Sequence, residues 1–143
     1  MSRPSASVIA GAAGVLVSAY VHFYLYFEGG YRGIHPERFA GIDISRSFAL
    51  NAIAGLLIAE LLVVSLRVPR LARVAALGGM AFAAAALLGY LLSRTTGLLG
   101  FTEHQTTVEA VVAKLAELTA IVALPLSLRP KRETERRLAA DPA

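Results

Sequence analysis

Five polar side chains lie inside stretches of the sequence that are otherwise apolar, and their types could bind a ligand or transfer a proton. They are His22, Asn51, Glu60, Lys114 and Glu117. A charged group near the centre of a bilayer costs about 2.5–3.5 kcal/mol on insertion scales, so each charge needs a specific reason to be there. A helix would place Lys114 and Glu117, three residues apart, on one face, where they can neutralise each other. The alternative is that the Lys114 ammonium extends to the outer surface.

Glu60 is the most difficult of these groups to explain. It lies about 9 Å from the C-terminal end of its apolar stretch at 1.5 Å per residue, and its side chain tilts away from that nearer surface. Thr119 lies at a similar depth in the last apolar stretch, which predicts a hydrogen-bonded contact between the two. Two alternatives stay open: Glu60 is protonated, because burial disfavours a charged carboxylate, or it handles protons or ions.

The histidines raise the question of a metal site. His22, His35 and His104 fall near one end of the predicted helices, and the acidic residues Glu28, Glu37, Asp43, Glu103 and Glu109 accompany them. Imidazole with carboxylate is a ligand set for zinc, copper or iron. The sequence has no H-x-x-x-H spacing and no paired histidines on facing helices, and it has no cysteine for a thiolate site. We therefore expect a structural or ligand-facing His22 and no metal site, with a metal or haem ligand as the alternative.

The elements that position these groups are four long apolar stretches, at residues 7–27, 47–66, 71–93 and 108–126. A bilayer core about 30 Å thick needs about 20 mostly apolar residues in a helix, and each stretch has this length. The chain has 56% hydrophobic residues and a mean hydropathy of +0.60, and its helices have no polar stripe. It is predicted to form an all-α fold, an antiparallel four-helix transmembrane bundle over residues 1–128, followed by a basic tail over 129–143.

Basic residues indicate how this bundle is oriented. Nine arginines and lysines lie at the N-terminus, in the 67–73 turn and in the tail, whereas the two longer loops carry four. Because positive segments stay inside, both termini are predicted to be cytoplasmic in a multi-pass plasma-membrane protein. The first stretch is too long for a signal-peptide core and ends in aromatic residues, so we expect it to remain as the first span. The net charge of +4 is dispersed near helix ends, which favours lipid headgroups over nucleic acid as a partner.

Small residues mark the faces on which the helices are expected to pack. In the first stretch, Gly11, Gly14 and Ser18 share a face with His22. The third stretch carries Ala75, Gly79, Ala83, Ala86 and Tyr90 at similar spacing. These faces support a compact bundle, although they leave the pairing of the helices open.

The two longer loops, 28–46 and 94–107, contain glycines suited to tight turns and could fold over the end of the bundle as a lid. The aromatic residues near this end are predicted to form a belt at the membrane interface. At the start of the fourth helix, Thr106 is predicted to be the N-cap of a capping box that includes Glu109.

Three spans and both outer loops carry residues that resemble a known group of proteins. The matching positions are His22, Tyr26 and 30–32; Ser47, Phe48, 50–52 and Gly55; and 89–93, Gly97, Leu98, Gly100, Phe101 and Glu103. In this pattern the chain resembles a family of uncharacterised small four-span integral membrane proteins of actinobacteria-like genomes. The resemblance implies a four-span membrane fold and no particular activity. In size and number of spans alone, the chain is also similar to DoxX-like proteins, some of which are associated with quinone-linked redox chemistry.

The sequence contains no catalytic motif and assigns no cofactor. Polar groups that collect at one depth predict a pocket in the outer leaflet, as in a small-ligand-binding or accessory module; they are His22, Asn51, Tyr90, Lys114 and Glu117. One alternative is a haem- or quinone-linked redox protein. Another is a subunit of a proton- or ion-coupled transporter, in which Lys114, Glu117 and Glu60 form a relay. The expected partners are the lipid bilayer and either other membrane proteins or copies of the same chain.

Overall fold

The computed structural model describes residues 3–35 and 38–128, and four long helices account for most of them. They are α1 (Arg3–Phe27), α2 (Ile44–Ser65), α3 (Ala72–Thr95) and α4 (Val108–Ser127). Short 3₁₀ turns lie at Tyr31–Gly33 and Pro69–Leu71, and the described residues contain no strand. All four helices are long and apolar enough to cross a membrane. The predicted all-α class with four such helices is confirmed. The predicted basic tail, 129–143, lies outside the described residues.

The ends of the helices agree with the four apolar stretches to within four residues. The largest difference is at α1, which begins at Arg3 rather than at residue 7. α2 begins three residues earlier than expected because Asp43 is its N-cap, and the Asp43 carboxylate accepts the Arg46 backbone N–H at 2.8 Å. Pro69 begins the 3₁₀ turn that precedes α3, a position where its missing N–H leaves no hydrogen bond unmade.

The helices form a four-cornered bundle. Each packs against the helices next to it in the chain, and α1 also packs along α4, which closes the bundle. α1 and α3 meet across the centre, whereas α2 and α4 occupy opposite corners and make no contact within the described residues. Contacts show that consecutive helices run in opposite directions, because Ala19 and His22 of α1 meet Gly55 and Phe48 of α2 in reverse chain order. α1 and α4 are antiparallel in the same way, since Gly11 meets Leu124 and Gly14 meets Ala116. α2 and α4 therefore run in the same direction. α1 is the most enclosed of the four.

Small residues allow α1 to approach α4 closely. A Cβ atom added at Gly14 would lie 2.4 Å from the Ala116 carbonyl oxygen, and one added at Gly11 would lie 2.3 Å from a methyl carbon of Leu124. The packing face predicted for α1 is confirmed, because all four of its residues are buried. On α3 the first four residues of the predicted face are buried and Tyr90, the last, is half-buried. Backbone contact of this kind is the usual way in which helices associate without water.

Candidate functional site

A buried polar cluster joins α1 and α4. The Glu117 side chain is fully buried, and its Oε2 atom lies 2.5 Å from the Nζ atom of Lys114. Its other oxygen, Oε1, accepts a hydrogen bond from the Ser18 hydroxyl of α1 at 2.9 Å. The structure therefore brings Lys114 and Glu117 together, as one of the two sequence hypotheses expected. The pairing with Ser18 adds a residue that the sequence had marked only for packing.

Lys114 is held inside the bundle and does not extend to the outer surface. Its side chain is 15% exposed. Besides its contact with Glu117, Nζ donates to the Ala86 carbonyl oxygen of α3 at 3.3 Å and lies 5.1 Å from the centre of the Tyr90 ring. The ammonium thus has an anion, a carbonyl and an aromatic face around it, which together replace the water it would otherwise need. The cluster has no net charge when both partners are ionised.

His22 lies one turn above Ser18 on α1 and is almost fully buried. Its Nδ1 atom lies 2.8 Å from the Ser18 carbonyl oxygen. A carbonyl can only accept, so Nδ1 carries a proton, and in the neutral ring Nε2 is the hydrogen-bond acceptor. Nε2 has no partner within the described part of the chain. The Phe48 ring packs against the imidazole at a tilt, with 5.3 Å between the two ring centres.

A cavity of about 420 Å³ opens beside this cluster. Four of the five predicted pocket residues line it: His22, Asn51, Tyr90 and Lys114. Glu117 does not reach the wall and lies behind Lys114. The half-buried Asn51 amide faces the cavity with no hydrogen-bond partner among the described residues. The polar groups of the wall therefore include an amide and an imidazole nitrogen that are free to bind a ligand.

Four residues cover the cavity, and together they form what we term the roof: Tyr31 of the first loop, Phe48 of α2, and Phe101 and Glu103 of the second loop. The Tyr31 ring stacks on Phe48 at 4.2 Å between centres and meets the edge of Phe101 at 5.7 Å. The Tyr31 hydroxyl donates a hydrogen bond to the Glu103 carboxylate. Burial and this hydrogen bond raise the pKa of Tyr31 well above its ordinary value, so the hydroxyl stays protonated and the donor is kept.

Backbone contacts hold Glu103 in the roof. Its N–H donates to the Ser93 carbonyl oxygen at 2.8 Å, and its own carbonyl oxygen accepts from Arg94 at 3.1 Å. A second carboxylate oxygen accepts the Gln105 N–H at 2.9 Å. The Glu103 carboxylate, which accepts the hydrogen bond from Tyr31, is thus fixed to the end of α3. This hydrogen bond ties the first outer loop to the second.

Asp43 organises the first loop, the one that carries Tyr31. Its carboxylate is fully buried and lies 3.0 Å from His35 Nδ1 and 3.4 Å from Arg38 Nε, in addition to capping α2. The Arg46 backbone N–H, together with His35, lowers the pKa of Asp43, although burial opposes the shift. Asp43 therefore stays ionised and sets the position of the first turns of α2, which carry Phe48 and Asn51 into the site.

Each outer loop also contains a tight turn of the same shape. Phe39 and Ile42 exchange backbone hydrogen bonds across one turn, and both central residues have positive φ: 51° at Ala40 and 79° at Gly41. The second turn, at residues 98–101, has the same pattern with φ of 51° and 70° at its centre. Glycine supplies one of the two positive-φ positions in each turn without steric cost. These turns give the loops a defined shape around the cavity.

Glu60 lies outside the site, and its predicted contact with Thr119 is wrong. Its side chain is exposed on the outer face of α2, and it has no hydrogen bond or ion pair within the described residues. The Thr119 hydroxyl donates to the Leu115 carbonyl oxygen of its own helix at 2.8 Å. The physical reason is that α2 and α4 occupy opposite corners. The same separation removes Glu60 from a relay with Lys114 and Glu117.

The predicted N-cap of α4 is also wrong by one residue. Thr107, not Thr106, caps the helix, and its hydroxyl accepts the Ala110 N–H at 3.2 Å. Glu109 then lies in the first turn without completing a capping box. In that turn its carboxylate still interacts favourably with the positive end of the helix.

In the part of the chain that the structure describes, no three histidines and carboxylates lie close enough together to hold a metal ion. Comparisons with protein-family models, with curated proteins and with solved structures give no match. The resemblance to the small four-span family therefore stays a prediction. Sequence reasoning missed Ser18 as a partner of Glu117 and the hydrogen bond from Tyr31 to Glu103 in the roof.

Proposed function

We propose that this chain is a multi-pass plasma-membrane protein with cytoplasmic termini that binds a small, neutral, largely apolar ligand at its outer end. Four helices of spanning length and the distribution of basic residues support the location. The observation that carries the binding role is the cavity of about 420 Å³, in which polar groups form one wall and aromatic rings form the roof. Its volume lies within the range of about 300–1,000 Å³ typical of small-molecule sites.

The charges around the cavity favour a neutral ligand. Lys114 is already paired with Glu117, so it offers a hydrogen-bond donor and no uncompensated positive charge. An anionic ligand would have to displace Glu117 and would also approach the Glu103 carboxylate of the roof. A cationic ligand would meet the Lys114 ammonium instead. Moving any unpaired ion into such an enclosed site is costly, and a neutral molecule avoids that cost.

The free polar atoms indicate which groups the ligand carries. His22 presents an acceptor at Nε2 when its ring is neutral, and a ligand hydroxyl or N–H would bind there. The Asn51 amide can both donate and accept. The rings of Tyr31, Phe48 and Phe101 provide flat apolar surfaces. Together these features support a ring-containing molecule that bears at least one hydroxyl, amide or carbonyl group.

Native mass spectrometry of the chain purified in a mild detergent tests this proposal. We expect a bound organic molecule on the 15.1-kDa chain and at least a tenfold loss of occupancy in Asn51→Leu. The matched control is Leu57→Ala, a change at a 60% exposed position on the outer face of the same helix, which should retain the molecule. A sample with lipid and detergent adducts alone, or equal occupancy in the two variants, would contradict a ligand site. The same sample tests the alternative of a redox protein. A haem would appear in its visible spectrum, and a quinone would be identified by the mass of the bound molecule.

A further inference from the structure

The cavity reaches the outside of the bundle beside α3. Its wall includes Ala85 and Leu88, and both residues are exposed, Leu88 to 57%. Leu88 lies two positions beyond the buried Ala86, which places it about 200° around the helix, on the side that faces away from the bundle centre. A cavity enclosed at the centre of four helices would not reach a side chain on that side. The space beside His22 therefore continues outward past α3.

Side chains bridge three of the four interfaces between neighbouring helices near the depth of the cavity. The rings of His22 and Phe48 join α1 to α2. Ser18 joins α1 to α4 through its hydrogen bond to the buried ion pair. Lys114 joins α4 to α3, because its ammonium donates to the Ala86 carbonyl oxygen. Within the described residues, α2 and α3 share no hydrogen bond, ion pair or ring contact, so this interface has the least to hold it closed.

α2 and α3 touch in the middle of the bundle and open toward its outer end. A Cβ atom added at Gly55 of α2 would lie 2.7 Å from the Phe82 ring of α3. About one turn further out, Asn51 and Ala85 line the cavity. Asn51 and Leu88 lie about 6–8 Å inside the outer ends of the apolar stretches of their helices. The opening between the two helices therefore faces hydrocarbon and not water.

The end of the cavity that faces water is closed by the roof. The Tyr31 ring stacks on Phe48, and its hydroxyl donates a hydrogen bond to Glu103. Tyr31 belongs to the hairpin of α1 and α2 and Glu103 to the hairpin of α3 and α4, so their hydrogen bond also limits how far α2 and α3 can part. A molecule that moves in from the lipid passes between the two hairpins that this bond holds together.

We propose that the ligand enters from the outer leaflet through the opening between α2 and α3, and that it carries a hydrocarbon chain that stays in this opening while its polar ring occupies the cavity. On α3 the opening is lined by Ala85, Leu88 and Leu92, which suit a hydrocarbon chain. On α2 the unpaired Asn51 amide binds the polar group, which an amide at this depth needs. Each methylene of the chain favours partition into the bilayer, which delivers the ligand at the depth of the opening. The inference rests on the proposed function and adds the source of the ligand and its chemical class, a neutral membrane-dissolved amphiphile.

Photolabelling in liposomes tests the opening, with a phenyl diazirine as the probe. This small neutral aromatic compound dissolves in the hydrocarbon and inserts covalently into its surroundings on illumination. The protein is first exchanged through detergent until native mass spectrometry shows no bound molecule, and labelled positions are then read by peptide mass spectrometry. Val21, His22 and Ala113 line the cavity and are buried, so the probe labels them only from inside it. We expect label at these three positions.

Substitutions at the opening test the route. Ala85→Phe places a ring between the helices and should lower labelling of the three buried positions at least fivefold. The matched control is Ala84→Phe, at an exposed neighbouring position that does not line the cavity, and it should change labelling less than twofold. Leu88→Ala widens the opening and should raise labelling, which tests the route even if Ala85→Phe fails to fold. The lateral route is overturned if the native protein stays unlabelled at the three positions, if both phenylalanine variants label equally, or if Leu88→Ala has no effect.

The chemical class of the ligand is read separately, from the mass and fragments of the molecule that remains bound to the protein purified in mild detergent. We expect a hydrocarbon chain in this molecule. A bound molecule without such a chain would overturn the inference and leave the proposed function intact. A protein without any bound molecule, but with label at the three buried positions, would overturn the proposed function and leave the lateral opening supported.

Discussion

Replacing Lys114 with methionine leaves the Glu117 carboxylate fully buried with one hydrogen bond, from Ser18, in place of two contacts. Methionine has nearly the same length as lysine, so little volume is lost and the effect is mainly electrostatic. Removing one partner of a buried ion pair destabilises proteins by about 3–5 kcal/mol. At about 1.4 kcal/mol per factor of ten, the folded-to-unfolded ratio should fall by about two to four powers of ten. Unfolding by sodium dodecyl sulfate in mixed micelles, followed by circular dichroism, measures this change.

The double variant Lys114→Met/Glu117→Met provides the control for this prediction. It removes both charges, and replacing a buried pair by apolar groups of similar size is often neutral. The Ser18 hydroxyl then lacks its acceptor, which costs about 1–3 kcal/mol. We therefore expect the double variant to be more stable than Lys114→Met alone. A loss of less than 1 kcal/mol in the single variant, or equal losses in both, would refute the view that Lys114 compensates a buried charge.

Two further predictions concern helix packing and pH. Gly14→Ala places a methyl group against a carbonyl oxygen of α4 and should destabilise the bundle by about 1–3 kcal/mol in the same assay. Gly78→Ala meets open space and should be neutral or slightly stabilising. Equal effects of the two substitutions would refute the close contact between α1 and α4. The folded-state pKa of Asp43 is lowered, so its contribution to stability is present above the unfolded value of about 3.9 and is lost as the pH falls through the folded value. The melting temperature should fall more between pH 5 and pH 3 in the native chain than in Asp43→Asn, and parallel curves would contradict this.

The helices and the ion pair were predictable because each depends on local features of the sequence. Bilayer thickness sets the length of an apolar span, so four stretches of that length predict four helices. The pairing of Lys114 with Glu117 needs only a spacing of three residues within one helix. The sequence predicts the start of α2 three residues too late because residues 44–46 are partly polar, whereas the capping carboxylate of Asp43 decides the boundary.

The contacts between helices and between loops were not predictable in the same way. Depth along a span can be counted from the sequence, and this is why Glu60 was matched with Thr119. The corner of the bundle that each helix occupies has no local signal in the sequence. The arrangement of the helices separates Glu60 from Thr119, and it brings Ser18 of α1 to Glu117 of α4. The roof is a similar case, because the aromatic side chains of the loops fit an interfacial belt equally well. Only the fold shows that Tyr31 meets Glu103, 72 residues further along the chain.

The hydrogen bond between Tyr31 and Glu103 joins the two hairpins of the bundle at their outer end, one helix pair on each side. Any molecule that passes between these loops has to break this bond on the way in and again on the way out. A barrier of this kind slows arrival and departure by the same factor and leaves the equilibrium between them unchanged. For the proposed ligand, the Tyr31–Glu103 bond therefore acts on how long the molecule stays, whereas the rings of the roof and the polar groups of the wall act on which molecule binds.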